Sequence, residues 1–243
     1  MIGKLNFKEE LAKVNITLTD QMVNQFDLYF KLIDKYNKVM DLTAVNGEDE
    51  VYERHFYNSL SIAFNDDFNN LHLCDVGAGA GFPSIPLKIA FPDMKLTIID
   101  PLNKRMEFLK VVIKELDLKD VNILVARAED VSKTNKEKFD IVTARAVARL
   151  NVLAELVCQL VKVNGRFISM KGQKGEEELL EASNALSTCN FKLVSKINLN
   201  PSINFVFEKT KSVDNKYPRN FGQIKKKPLY EDFIWVMENF QNI

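Results

Sequence analysis

Apolar positions change rhythm at about residue 70. Before that point Met22, Phe26, Phe30, Ile33, Tyr36 and Met40 return every three or four residues behind an N-cap candidate at Thr19 or Asp20, which predicts one long amphipathic helix. A second helical stretch is expected from about 48 to 64, after the turn residues Asn46 and Gly47. From Leu71 onward, short apolar runs at 71–76, 95–100, 121–125, 139–143, 166–170, 191–199 and 203–209 read as strands. Helical stretches at 84–91, 102–116, 150–161 and 175–187 lie between them. Alternation of this kind predicts an α/β fold with a mostly parallel sheet covered on both faces. Only a short polar turn containing Pro201 separates the last two runs, so they are expected to pair as an antiparallel hairpin. Phe233, Val236, Met237 and Phe240, with Trp235 beside them, form a further stripe at helical spacing near the C-terminus.

The end of the first strand reads Leu73-Cys74-Asp75-Val76-Gly77-Ala78-Gly79-Ala80-Gly81-Phe82. An apolar run that ends in an acid and three alternate glycines is a strand whose chain turns sharply beneath a ligand, since glycine permits φ > 0 and lets a ligand approach the backbone. The spacing is GxGxG, not the GxGxxG of dinucleotide sites, and no GK[ST] follows to make a phosphate-cradling loop. A nicotinamide oxidoreductase is therefore disfavoured. The carboxylate of Asp75 beneath the loop would repel a phosphate and suits a cationic ligand; S-adenosylmethionine carries an ammonium and a sulfonium. Asp100 ends the second strand, 19 positions after Gly81. There it can accept both hydroxyls of a ribose, or it can cap the following helix. Seven strands ending in a hairpin, with these two acids, are the layout of a Rossmann-like class I S-adenosylmethionine-dependent methyltransferase.

Composition narrows the classes without choosing among them. The chain has 243 residues, 33 basic and 33 acidic, for a formal net charge of zero, so any attraction to nucleic acid must come from local clustering. From Lys209 to Lys227 there are seven lysines or arginines against one acid, Asp214, with Tyr217 and Phe221 between them. Such a segment can follow an RNA backbone while its rings stack on bases, or can be a solvated tail; Lys171 and Lys174 are expected to extend the same rim. The sequence opens MIGKLNFKEE, with acids and lysines in place of an apolar h-region, so no signal peptide is expected, and no apolar run is long enough for a membrane-spanning helix. Cys74, Cys158 and Cys189 are widely spaced in apolar contexts, and neither they nor His55 and His72 have metal-ligand spacing. A cytoplasmic protein with reduced core thiols and no metal is expected.

Three further segments carry candidate chemistry. Arg127-Ala128-Glu129 follows the third strand, where Ala128 and Glu129 can hold the edge of an adenine, or be an ordinary surface loop. After the fourth strand there is neither an Asn/Asp-Pro-Pro-aromatic motif nor a Pro-Cys pair. Arg145 and Arg149 lie four apart there and would share a helix face if a helix begins at that point; guanidinium forks suit phosphates and the O6/N7 edge of guanine. His55, in Arg54-His55-Phe56-Tyr57, is by residue type alone as readily structural as functional.

Taken together, the stretches YNKVMDLTAV (36–45), VYERHFYNSL (51–60), CDVGAGAGFPSIPLKIAFP (74–92), DPLNKRMEFL (100–109), ARAEDV (126–131), FDIVTARAVARLNVLAEL (139–156) and MKGQKGEEEL (170–179) resemble the RsmG family, also called glucose-inhibited division protein B, the guanine-N7 methyltransferases of 16S ribosomal RNA. The resemblance implies methyl transfer from S-adenosylmethionine to N7 of a guanine in 16S rRNA or the small ribosomal subunit. It implies methyl-donor contacts at Gly77, Phe82, Ala128, Glu129 and Arg145, beside the Asp75, Gly79 and Asp100 read above, and catalytic, site-facing roles for His55, Arg127 and Lys171. The expected organisation is an N-terminal helical region (1–66) packed on the catalytic domain, a methyltransferase domain (67–210), and a basic tail with a short helix (211–243), in a chain acting as a monomer. Asp41 stands where the family favours Asn, Asn58 where it favours Asp, and Pro101 where Ser is usual. A small-molecule or protein acceptor, and a non-catalytic ribosome-assembly role, are the competing readings.

Overall fold

Thr19 and Asp41 mark the ends of the long N-terminal helix in the computed structural model, which describes residues 2–45 and 47–230. The Thr19 hydroxyl accepts the Met22 N–H at 3.2 Å, and the helix closes at Asp41 in the left-handed region, φ 48°. The chain divides into two units, Met1–Arg127 and Ala128–Ile243. No helix among the described residues is long and apolar enough to cross a membrane. The C-terminal stripe of Phe233 to Phe240 lies outside the described residues.

The first unit opens with α1 (Phe7–Ala12), α2 (Asp20–Met40) and α3 (Glu48–Val51). The expected second helix is a composite: α3 passes into a π-helical turn, Tyr52–Tyr57, then α4 (Asn58–Leu60) and a 3₁₀ turn, Ser61–Ala63. The buried face of α2 is Phe26, Tyr29, Leu32 and Ile33, one step round from the expected stripe; Phe30, Tyr36 and Met40 are half-buried. Phe7, Phe26, Tyr29, Tyr52, Phe56 and Phe82 make a contiguous aromatic cluster, with Tyr52 and Phe56 at 4.9 Å between centroids and Tyr29 and Phe56 stacked at 5.3 Å. Edge-to-face and offset rings pack in this way without leaving voids. Then come β1 (His72–Val76), α5 (Ser84–Ala90), β2 (Lys95–Ile99), α6 (Asn103–Glu115) and β3 (Val121–Leu124). The three strands are parallel in the order β3-β2-β1, with His72 opposite Lys95 and Leu96 opposite Val121. Leu73 to Val76 and Leu96 to Ile99 are continuous buried runs, as strands covered on both faces require.

The second unit runs α7 (Ala128–Val131), β4 (Phe139–Arg145), α8 (Leu150–Val157), β5 (Val161–Lys171), α9 (Gly175–Glu181), α10 (Ser183–Thr188), β6 (Phe191–Leu199), β7 (Ser202–Lys209) and α11 (Phe221–Lys226). Its strand order is β4-β5-β7-β6; β4 and β5 are parallel, while β5–β7 and β6–β7 are antiparallel. The seven strands are thus mostly parallel, end in an antiparallel hairpin and are preceded by helices, as expected. Two boundaries differ. β5 begins at Val161, where Phe139 pairs with it before a register shift, and the expected 175–187 helix breaks at Ala182. All three cysteines are free and buried.

The basic segment is not one solvated strip. Lys209 is fully buried, its ammonium 3.0 Å from Glu137 Oε1 and donating to the carbonyls of Cys158 (2.7 Å) and Val161 (2.9 Å). Arg219 grips the buried Glu155 carboxylate through Nε (2.8 Å) and a terminal nitrogen (2.6 Å), the bidentate geometry a guanidinium favours. Lys211, Lys216, Lys225, Lys226 and Lys227 remain exposed. Sequence counts these charges alike because the acids that claim two of them, the half-buried Glu137 and the buried Glu155, lie more than sixty positions away along the chain.

Removing one partner of a buried ion pair costs roughly 3 kcal/mol or more, whereas a surface substitution stays within about 0.5 kcal/mol. Lys209→Ala is therefore expected to lower the urea midpoint strongly and Lys211→Ala hardly at all; equal shifts would contradict the buried pairing. The left-handed cap at Asp41 also places a carboxylate at a helix C-terminus. Since Asn tolerates that conformation and removes the charge from the negative end of the helix dipole, Asp41→Asn is expected to stabilise by about 0.3–1 kcal/mol in the same titration.

Candidate active site

In the first unit the chain leaves β1 through Gly77, Gly79 and Gly81, with φ of 75°, 59° and 102°. The Gly77 N–H donates to the Ile99 carbonyl at 2.7 Å, and the N–H groups of Gly81 and Phe82 both reach the Ala78 carbonyl. The glycines serve different ends. A Cβ at Gly81 would lie 2.6 Å from Ile85 Cγ1, 2.8 Å from the Tyr29 hydroxyl and 3.0 Å from Leu109 Cδ2, so that position is closed by packing. A Cβ at Gly79 would meet nothing within 4 Å. Its absence leaves open space over a half-buried backbone, a cradle of the kind a loop needs if a ligand is to sit against it.

Asp100 faces this cradle. It is nearly buried at 2% exposure; its Oδ2 lies 3.4 Å from the Gly79 N–H, and its Oδ1 accepts the Leu102 N–H at 2.9 Å. Arg105 approaches Oδ2 at 3.7 Å. The N-cap of α6 is Leu102, with no side-chain cap bond, so Asp100 shapes the 100–102 turn and does not cap the helix. A carboxylate offers about four lone-pair directions. Capacity therefore remains for a pair of hydroxyl donors, and the residues fit the ribose of an S-adenosylmethionine. Asp75 is fully buried in β1, opposite Ile98.

His55 lies on the π-helical turn, where its ring stacks on Phe82 at 4.4 Å and 18°. Its Nε2 is 2.7 Å from the Thr43 hydroxyl, which also accepts the Val45 N–H. Asn37 fixes Thr43 from both sides, accepting its N–H at 2.9 Å and donating to its carbonyl at 2.8 Å. Segments of π-helix recur at functional sites because they displace a side chain from the regular helical position. Tyr29, Asn37 and Thr43 were not among the expected residues. Tyr29 donates to the Ala80 carbonyl at 2.6 Å and so braces the glycine turn from α2. Its spacing from Phe26 and Ile33 was the available signal. Arg127, the last residue of the unit, is exposed.

In the second unit Ala128 and Glu129 open α7, with Ala128 buried and Glu129 half-buried. Arg145 closes β4 and is half-buried. It does not share a helix face with Arg149: α8 begins only at Leu150, with Arg149 as its N-cap, and Ala146 turns the chain between them at φ 56°. A residue with a Cβ in that region is strained by about 1–2 kcal/mol. Arg149 pairs with Glu181, and with Glu177 at 3.5 Å. Nor does Lys171 join an exposed basic rim. It is buried at the end of β5, bonded to Glu178 Oε2 at 2.8 Å and to the Ala148 carbonyl at 2.6 Å. Burial holds its pKa below the usual lysine value, and Glu178 opposes that shift. Lys174 is exposed.

Parallel strands with crossover helices, a left-handed glycine turn after the first strand and an acid after the second define a Rossmann-like methyltransferase fold. Solved structures agree at the level of fold. A precorrin-6y C5,15-methyltransferase from Geobacter metallireducens aligns with a TM-score of 0.52 at 16% identity, over 69% of this chain and 91% of that one. TYW2 of M. jannaschii, solved in complex with AdoMet, aligns at 0.51 with 20% identity, over 64% and 76%. The family model described as "GidB: rRNA small subunit methyltransferase G" matches residues 22–203, and the chain belongs to that family. Ribosomal RNA small subunit methyltransferase G of Staphylococcus aureus, in strains JH9 and Newman, is 46% identical over 233 residues, covering 92% of this chain and 97% of the relative.

The two glycine environments make opposite demands on an alanine. Gly81→Ala adds an overpacking cost of roughly 1–3 kcal/mol to its backbone strain, while Gly79→Ala bears only the strain. Thermal melts are expected to show a much larger loss for Gly81→Ala; a reversed order would contradict the packing described around Tyr29 and Ile85.

Proposed function

We propose that this chain transfers a methyl group from S-adenosylmethionine to N7 of a guanine in the 16S RNA of the small ribosomal subunit. Membership of the family across residues 22–203 carries the reading. The cradle at Gly79 with Asp100 beside it supports the choice of donor. On this reading Asp100 accepts the ribose hydroxyls, the backbone of Gly77 and Gly79 lies against the methionyl end, and the buried charge of Asp75 favours a cation there. Phe82 and His55, already stacked on one another, supply a flat apolar wall. Ala128 and Glu129 are assigned to the adenine, Arg145 to a donor contact, and Arg127 to a site-facing role, as the family resemblance implies.

The donor supplies an electrophilic methyl carbon on a sulfonium; attack by the N7 lone pair forms the N–C bond and breaks the S–C bond, and the pair returns to sulfur. N7 of guanine carries no proton, so no general base is required. The protein's task is in-line placement of nucleophile, carbon and leaving group, and placement of that kind supplies large rate factors. His55, held through Thr43, acts on this reading by shape and hydrogen bonding, not by proton transfer.

Incubation of the protein with labelled donor and unmodified 16S rRNA or small subunits, followed by nucleoside digestion, is expected to yield 7-methylguanosine. An N2- or C5-methylated nucleoside would refute the reading. The single-turnover rate is expected to be flat from about pH 6.5 to 8.5, across the range in which an ordinary histidine titrates; a bell-shaped profile would restore a titrating base. Losing a charge-assisted hydrogen bond costs about 1.5–3 kcal/mol. Asp100→Ala should therefore weaken donor binding roughly ten- to a hundredfold by calorimetry, with RNA affinity unchanged. Equal losses on both ligands would make Asp100 structural.

A further inference from the structure

Four residues of the second unit, Ala146 to Arg149, carry the chain from the end of β4 to the start of α8. The turn they make is strained at Ala146. Strained backbone persists only where its surroundings over-determine it, and here the surroundings can be named. Lys171 Nζ donates to the Ala148 carbonyl at 2.6 Å. Glu178 Oε2 accepts the Leu150 N–H at 2.9 Å. Lys171 and Glu178 bond to each other at 2.8 Å. One ion pair thus grips two peptide groups two residues apart, one through its cation and one through its anion. Arg149, between them, is held outward by Glu181 and Glu177. Close packing brings the acid to this place: a Cβ at Gly175, the first residue of α9, would stand 2.4 Å from Ile203 Cγ2 and 3.1 Å from Lys171 Cβ. Glycine there lets α9 approach β5 closely enough for Glu178, one turn on, to reach the start of α8.

We infer that the Lys171–Glu178 pair is a clamp that sets the β4–α8 turn for methyl transfer, with Glu178 a positioning residue of the reaction and Lys171 acting through the turn and not on RNA phosphate. The inference rests on the proposed function, in which Arg145 at the head of this turn contacts the donor. A lysine that met phosphate would need its ammonium at the surface; this one is buried, with its charge neutralised by Glu178. Truncating the acid removes the anchor of Leu150 and leaves the Lys171 charge unpaired, so the turn loses both grips together.

The test compares Glu178→Ala, Glu178→Gln and Lys171→Met in the full chain, with 16S rRNA as substrate. Misplacement of a reacting group by about 1 Å costs on the order of a hundredfold. Glu178→Ala is therefore expected to lower kcat by roughly ten- to a hundredfold with KM for RNA changed by less than about threefold. Glu178→Gln, which keeps an acceptor for the Leu150 N–H, should recover part of that loss and serves if the alanine variant does not fold. Because the pair acts as a unit, the double variant Lys171→Met/Glu178→Ala should be no worse than the poorer single one. Lys171→Met should leave the slope of log RNA affinity against log salt unchanged; a slope smaller by about one would make Lys171 a phosphate contact and overturn the clamp. Wild-type kcat in Glu178→Ala would overturn it as well. Hydrogen exchange separates this inference from the proposed function, since it needs no activity. Faster exchange confined to residues 146–150 in Glu178→Ala is expected even if the wild-type protein methylates some other acceptor, and unchanged exchange there refutes the clamp.

Discussion

The reversal of the chain after β1 is the constraint around which the first unit is arranged. Three residues there need positive φ, and at Gly81 the missing Cβ is surrounded at contact distance by Tyr29 of α2, Ile85 of α5 and Leu109 of α6. Three helices therefore converge on one vacancy the size of a methyl group. Their packing and the ligand cradle are two sides of one turn. The Tyr29 hydroxyl, buried and unable to find water, satisfies itself on the Ala80 carbonyl, as buried polar groups must. That bond ties the N-terminal helices to the loop, and the aromatic cluster behind Tyr29 carries the tie on to Phe82 and His55. The N-terminal helices are in this sense part of the architecture of the glycine turn, not an addition to it.

Much of this was legible in the sequence because it is written in short-range pattern. Buried strands appear as unbroken apolar runs, the glycines stand where positive φ is needed, and Thr19 caps α2 as read. The less legible features depend on partners remote in sequence. Tyr29 lies on the buried face because its hydroxyl has a carbonyl to reach 51 positions away; periodicity alone favoured the purely apolar Phe30. The π-helical turn at Tyr52–Tyr57 has the same apolar spacing as an α-helix to a reader of residue types. Arg145 and Arg149 look like one helix face until β4 is seen to run to Arg145 and Ala146 to turn left-handed. That turn is held by Lys171 and Glu178, 23 and 28 positions further on. At Asp41 the backbone accounts for the Asn that the family favours, since the position is a left-handed helix cap; nothing in the structure explains the acid that stands there.

Charge shows the same separation between composition and place. Equal numbers of acids and bases do not distinguish a cation that attracts phosphate from one that builds the core. Lys171, Lys209 and Arg219 each have a dedicated acid, Glu178, Glu137 and Glu155 respectively. Desolvated cations persist in proteins when they are paired and hydrogen-bonded in this way. Lys171 and Lys209, both buried, are therefore committed to their acids, while the half-buried Arg219 is held by Glu155 through two of its nitrogens. The five lysines between 211 and 227 are different: they are exposed, Lys216 beside the equally exposed Asp214, and hydrated charges of that kind can exchange counterions for phosphates. Electrostatic attraction and electrostatic architecture thus use the same residue types in one segment, and burial separates them.

The histidine follows from the chemistry proposed. A general base has to present a nitrogen lone pair to a proton it will remove, but guanine N7 offers no proton. His55 has its Nε2 engaged with Thr43, which Asn37 fixes in turn through two backbone bonds, and its ring face is covered by Phe82. A ring restrained at an edge and a face has little rotational freedom, a poor arrangement for a proton shuttle and a good one for a rigid wall. Since methyl transfer from sulfonium to a neutral ring nitrogen depends on collinearity more than on any change of protonation, rigidity is the property that the proposed reaction would draw from the residue. On the proposed reading Thr43 and Asn37 would serve through the angle at which they hold the imidazole; in the structure they tie the 36–45 segment to His55, which stacks on Phe82 at the end of the glycine loop.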